Sequence, residues 1–159
     1  MIKNYQQGIT LVEVLIASAI IMAAVVALLG VHSLYFKTAL QNTDILKATY
    51  LAEEGVEAVR FLRDASWSTH ISPLTLNTNY GLVPSGTSWL TSATNTATLG
   101  FTRTVRLSAV YRDASDDVVA SGGTLDSNTK LLTATVSWNQ NGTTTSKTIS
   151  TYLTNLWSN

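Results

Sequence analysis

The sequence predicts an α+β chain: a long N-terminal α-helix, its first half transmembrane, packed against a C-terminal antiparallel β-sheet. Three observations carry this. Val14 to Val31 holds no charge and no proline, and only Ser18 and Gly30 interrupt its Ile, Leu, Val, Ala and Met. Ile45, Ala48, Ala52, Val56, Val59 and Leu62 then recur at three- and four-residue steps, the stripe of an amphipathic helix. Beyond residue 100, apolar and polar residues alternate with the two-residue period of half-buried strands.

The apolar run comes first. Its roughly 18 residues would make a helix ~27 Å long, close to the hydrocarbon thickness of a bilayer. At that depth a backbone must satisfy its own N–H and C=O groups, and a continuous helix does so. The run is longer than the apolar region of a secretory signal, and Ala17-Ser18-Ala19 lies inside it instead of after it. Retention of the helix is therefore expected over signal-peptidase removal. The residue that does not fit is Glu13, a carboxylate at the front edge of the run. A charge there is costly and is a functional candidate by default, against the plainer reading that it only marks the interface.

Read together, Gly8-Ile9-Thr10-Leu11-Val12-Glu13 and the run behind it resemble the N-terminus of type IV pilins and of the pilin-like proteins of type II secretion and competence systems. The leader would be Met1 to Gly8, with Lys3 as its basic residue. The resemblance implies cleavage by a prepilin peptidase between Gly8 and Ile9, N-methylation of Ile9, and a role for Glu13 in subunit assembly. Ile9 departs from the phenylalanine most members carry at that position. A physical reason for the acid can be given separately. Burying the Ile9 ammonium or the Glu13 carboxylate alone is costly, while pairing one with the other across two subunits recovers much of that penalty and fixes an axial stagger.

With no proline before Pro73, the helix is expected to continue to about Asp64, ~80 Å in all. Glu53, Glu57, Arg60 and Asp64 fall opposite the stripe, with Glu57–Arg60 and Arg60–Asp64 at pairing distance. Ala48, Ala52 and Gly55 are small enough for close approach of a sheet or a neighbouring helix. Gly30 stands where many pilins have a helix-breaking proline, and is expected to be a soft point.

Ala65 to Gly100 is rich in Ser, Thr and Asn, with Pro73, Pro84 and Gly86 as breakers. Two brief strands are expected there, Tyr80–Val83 and Ser88–Leu90. From Phe101 to Arg112, Val105, Leu107, Ala109 and Tyr111 share one face. Leu132, Ala134, Val136 and Trp138 repeat the pattern. Asn141-Gly142 supplies a type I′ turn, and Thr144 to Leu156 returns as the last strand, with Tyr152, Leu156 and Trp157 closing the sheet over the helix.

Composition narrows the function. Ten basic and ten acidic residues cancel, and nine against ten would remain after loss of Lys3, so there is no strong nucleic-acid signal. Arg103, Arg106 and Arg112 beside Tyr111 do not share one face. There are no cysteines, hence no disulfide and no thiolate site. Asp113, Asp116, Asp117 and Asp126 gather between Asp113 and Asn128, but their spacing is not that of a twelve-residue calcium loop, and a solvated loop explains them more simply. His32 and His70 lack a catalytic constellation, and no phosphate-binding glycine loop occurs. No enzyme, cofactor or metal is expected.

The expected organisation is a leader at 1–8, the transmembrane half of the helix at 9–31, its amphipathic half at 32–64 and a β-rich head at 65–159. The resemblance implies a structural subunit, closest in type to a minor pilin. Its partners would be a prepilin peptidase, other pilin subunits, the pilus assembly platform and the membrane, crossed once. The precursor would sit in the cytoplasmic membrane and the mature subunit in an extracellular or periplasmic filament. The alternatives are a type II secretion pseudopilin, a non-polymerising membrane-anchored exported binding domain, and a secreted enzyme freed of its signal.

Overall fold

The computed structural model describes residues 10–156. Gly8, Ile9, Lys3 and Trp157 lie outside them. The chain divides into two compact units, Met1–Asn42 and Thr43–Asn159.

Helix α1 is unbroken from Leu11 to Ala65. Its part in the first unit exposes every large apolar side chain, and no residue of its most apolar window is buried. The mean hydropathy of that window, 2.9, is that of a membrane-crossing segment. The hydroxyls within this stretch make no demand on lipid. Ser18 Oγ donates to the Leu15 carbonyl (2.9 Å), Ser33 Oγ to Gly30 (2.9 Å) and Thr38 Oγ1 to Leu34 (3.0 Å). Gly30 sits inside regular helix with open space where a side chain would be.

In the second unit, the rest of α1 packs on an antiparallel sheet. The strands are β1 (Asn79–Ser85), β2 (Ser88–Ser92), β3 (Thr96–Thr98), β4 (Phe101–Arg112), β5 (Val118–Val119), β6 (Thr124–Gln140) and β7 (Thr143–Thr154). The order is β2-β1-β4-β6-β7, with β3 and β5 also on β4. Thus three short strands share one edge of β4 and β6 takes the other. A π-helical turn, Trp67–Ile71, follows α1, capped by the Ser66 side chain accepting from the Thr69 N–H (3.3 Å).

The core is the helix stripe Ala48, Ala52, Val56, Val59 and Leu62 against Leu82, Phe101, Val105, Leu107, Leu132, Ala134, Val136, Trp138 and Leu153. The stripe begins one step later than the periodicity predicts, because Ile45 is exposed. Gly55 lies directly against side chains of the sheet: a Cβ there would meet Arg103 Cδ at 3.1 Å and Ala134 Cβ at 3.6 Å. Small residues are what let the sheet approach.

Several expectations need correcting. The Phe101–Arg112 alternation does not hold to its end. A bulge between Ala109 and Val110 shifts the register against β6, so that Val110 is buried and Tyr111 is exposed. Asp113–Asn128 is not one loop, since β5 and the start of β6 fall inside it and Thr124, Leu125 and Asp126 pair with β4. Gly123 permits this, because any Cβ there would lie 2.5 Å from the Arg112 carbonyl oxygen. Asp64 bonds to Arg63 (2.8 Å) and not to Arg60, while the Glu57–Arg60 pair forms at 2.6 Å. Pro84 does not break β1 but lies within it opposite Trp89, on a stretch bonded only to β2, where a missing N–H is tolerated.

Candidate functional site at the start of the helix

Thr10 and Glu13 form a reciprocal cap. The Glu13 N–H donates to Thr10 Oγ1 (3.3 Å), and Glu13 Oε2 accepts from the Thr10 N–H (2.8 Å) and hydroxyl (3.0 Å). Val14 N–H makes the first helical bond, to the Thr10 carbonyl (3.3 Å). Thr10 is thus the N-cap and Glu13 the third helical residue, the arrangement of a capping box. A carboxylate there also meets the positive end of the helix dipole. The acid therefore has a partner in its own chain before any neighbouring subunit is present. The Thr-x-x-Glu spacing before an apolar run was the available signal. Behind the cap, Glu13, Val14, Ala17, Ser18 and Ile21 line a shallow hollow along one helix face. Ala17 and Ser18 are its short side chains, so another helix can come near there.

The other candidates resolve differently. Arg103, one of the three arginines considered as a basic strand face, is buried. Its Nη1 donates to Glu54 Oε2 (2.5 Å) and to the Leu51 carbonyl (3.3 Å), and its guanidinium lies 5.2 Å from the Trp89 ring centre. It fastens the helix to the sheet and is unavailable to nucleic acid. Its position on the same strand face as Val105 and Leu107 would have placed it inside. Arg106 is exposed, and Arg112 turns to Asp126 (2.8 Å) and to the Asp116 carbonyl (2.8 Å).

The aspartates are committed as well. Asp113 Oδ1 accepts from the Ser115 and Asp117 N–H groups at 2.8 and 3.0 Å. Asp126 is held down to about 2 from its usual 3.8 by the Arg112 hydrogen bond first, then by hydrogen bonds from Thr129 and the Asn128 N–H. With a guanidinium in their midst, these carboxylates are not arranged around a cation. Among the described residues no cluster of three or more His, Asp or Glu is placed to hold a metal. His32 and His70 stand on separate elements, α1 and the π-helical turn.

The described residues thus combine a capped apolar helix with a small sheet domain whose polar side chains bond largely within the fold. The family comparison is more particular: residues 3–29 match the prokaryotic N-terminal methylation motif, the signature of type IV pilins and pseudopilins. The motif supports a pilin-like or pseudopilin exported subunit, in a family that is structural and not catalytic. With the single apolar helix, it fits a precursor anchored in the inner membrane. No curated protein and no solved structure matches the chain.

Proposed function

We propose that the chain is a structural subunit, of the minor-pilin kind, of a type IV pilus or a related filament. A prepilin peptidase cleaves between Gly8 and Ile9, and Ile9 becomes N-methylated. Residues 9–31 hold the precursor in the cytoplasmic membrane, 32–64 carry the helix into the head, and 65–159 form that head. On assembly, the Glu13 carboxylate receives the ammonium of a neighbouring subunit, and helices pack side by side with the help of the assembly platform. The filament then lies outside the cytoplasmic membrane.

The observation that supports this best is the methylation motif in register with a capped, wholly exposed apolar helix. Ile9, the small head and the lack of cysteine favour a minor over a major subunit. The test is co-expression with a prepilin peptidase, followed by intact mass and N-terminal sequencing. The expected product begins at Ile9 and carries one added methyl group. A product that still begins at Met1 would refute the reading.

A further inference from the structure

We propose that β7 is a pairing edge for a second copy of this chain, joined β7 to β7 antiparallel about Ile149. This goes beyond the filament reading and does not rest on it, since it involves the sheet and not the helix.

β7 ends the sheet, with β6 as its one neighbour, and its 12 residues run opposite β6 without a register shift. The Asn141-Gly142 turn, with φ of 54° and 84°, closes a two-residue hairpin whose last pair is Gln140 and Thr143. In such a hairpin the closing pair exchanges hydrogen bonds, and every second residue along the strand then turns its backbone toward the neighbour. Thr144, Ser146, Thr148, Ser150, Tyr152 and Thr154 therefore turn their N–H and C=O groups away from β6. All six are exposed, and among the described residues no other backbone bonds to them.

Long free edges are ordinarily blunted by proline, a bulge, several charges or a covering segment. β7 has none of these beyond the single charge of Lys147. Unpaired backbone groups in this alternation accept one kind of occupant, an extended strand, and β7 is its own complement. With Ile149 on the twofold axis, Thr148 faces Ser150 of the other copy, Ser146 faces Tyr152 and Thr144 faces Thr154. Lys147 faces Thr151, so the two like charges are not opposed. All six outward residues are then used, for on the order of twelve backbone hydrogen bonds. Moving the axis to Thr148 or Ser150 shortens the ladder. The hydroxyl pairs this makes repeat those already present between β6 and β7, Thr133–Ser150 and Thr135–Thr148 at 3.2 Å each. Such a contact is isologous and closes on itself, so it links two subunits and stops. It suits a bond between adjacent filaments, not growth along one.

The test uses the full chain in detergent, with micelles in excess over protein. The sequence has no cysteine, so single substitutions report cleanly. In Ile149→Cys the two Cα atoms would stand ~4.5 Å apart, within disulfide reach. In Ser146→Cys they would be separated by six strand positions, about 20 Å. Mild oxidation should give at least ~10-fold more disulfide dimer at 149 than at 146. Thr148→Pro removes an N–H that the β6–β7 ladder does not use, so the fold should survive while the dimer is lost. Equal yields at 149 and 146, or a monomer at 149, would overturn the proposal. Should the proline variant fail to fold, the cysteine pair decides alone.

Discussion

Residues 11–42 and residues 48–62 belong to one helix but solve opposite problems. In the first stretch the large side chains are all exposed, Leu15 at 59% and Leu29 at 64%, and nothing among the described residues covers them. In the second, the inward positions are mostly small, and a sheet carried by the same chain buries them. Apolarity alone says that a surface must leave water. Side-chain size says what will cover it: large residues for lipid or another subunit, small ones where a backbone must come near. Polar groups follow the same division. The hydroxyls of the first stretch return to their own helix carbonyls, whereas Thr133, Thr135, Thr148 and Ser150 in the sheet pair across strands.

The largest effect should come from the one charged group at the head of the uncovered stretch. Glu13→Ala removes both the cap and the charge, while Glu13→Gln keeps a side chain that serves a capping box and removes only the charge. Filament incorporation, read by shearing and immunoblot, should be abolished in both variants, and head stability should be unchanged. If the glutamine variant assembles as wild type, the cap and not the charge is what the position supplies.

Next, the two environments can be set against each other with one substitution type. Leu132→Ala, at a site with no exposure, should destabilise the head by ~2–5 kcal/mol. Leu28→Ala, at 69% exposure, should leave head unfolding within ~0.5 kcal/mol of wild type. Tryptophan fluorescence of the full chain in detergent, with buried Trp138 and half-buried Trp67 and Trp89 in the head, reads both. An equal loss would mean that the head depends on the apolar stretch.

The helix–sheet fastening gives a smaller effect with a sign that depends on which partner is removed. Glu54→Ala strands the Arg103 guanidinium inside, whereas Arg103→Met removes the buried charge and keeps most of the volume. Because Glu54 itself is 47% exposed, the first should cost about 1–2 kcal/mol, below the loss for a fully buried pair, and the second less. Urea denaturation of the two variants side by side checks the order.

The same division accounts for what the sequence made legible. Long, regular patterns were readable: α1 to within a residue of its end, and β4, β6 and β7 from their alternation and the Asn141-Gly142 turn. What escaped was local. β3 is Thr-Ala-Thr within a Ser/Thr/Asn-rich stretch, so no apolar contrast marks its faces. Its turn uses Leu99 at φ 51°, where a turn signal would be Asn, Asp or Gly. The bulge at Ala109–Val110 reverses a parity that periodicity assumes constant. Arg103 is buried by its strand position, on the face of Val105 and Leu107, against the usual exposure of an arginine. At the helix start, the Thr-x-x-Glu spacing serves both the motif and a cap.

The smallest effect belongs to Asp126, and pH brings it out. Its carboxyl titrates near 2 in the fold against 3.8 ordinarily, mainly because Arg112 donates to it. The unfolded chain therefore takes up this proton first as pH falls. The stabilisation is fully present above pH ~4 and is lost as pH drops through the folded value near 2. With one flank of the pair in solvent, the contribution should be about 1 kcal/mol. Asp126→Asn should lower head stability by that amount at pH 7 and by only a small fraction of it at pH 2, flattening the acid limb between the two. A variant whose deficit is the same at both pH values would show that Asp126 acts through the shape of the β6 bulge, by its bond from the Asn128 N–H, and not through its charge.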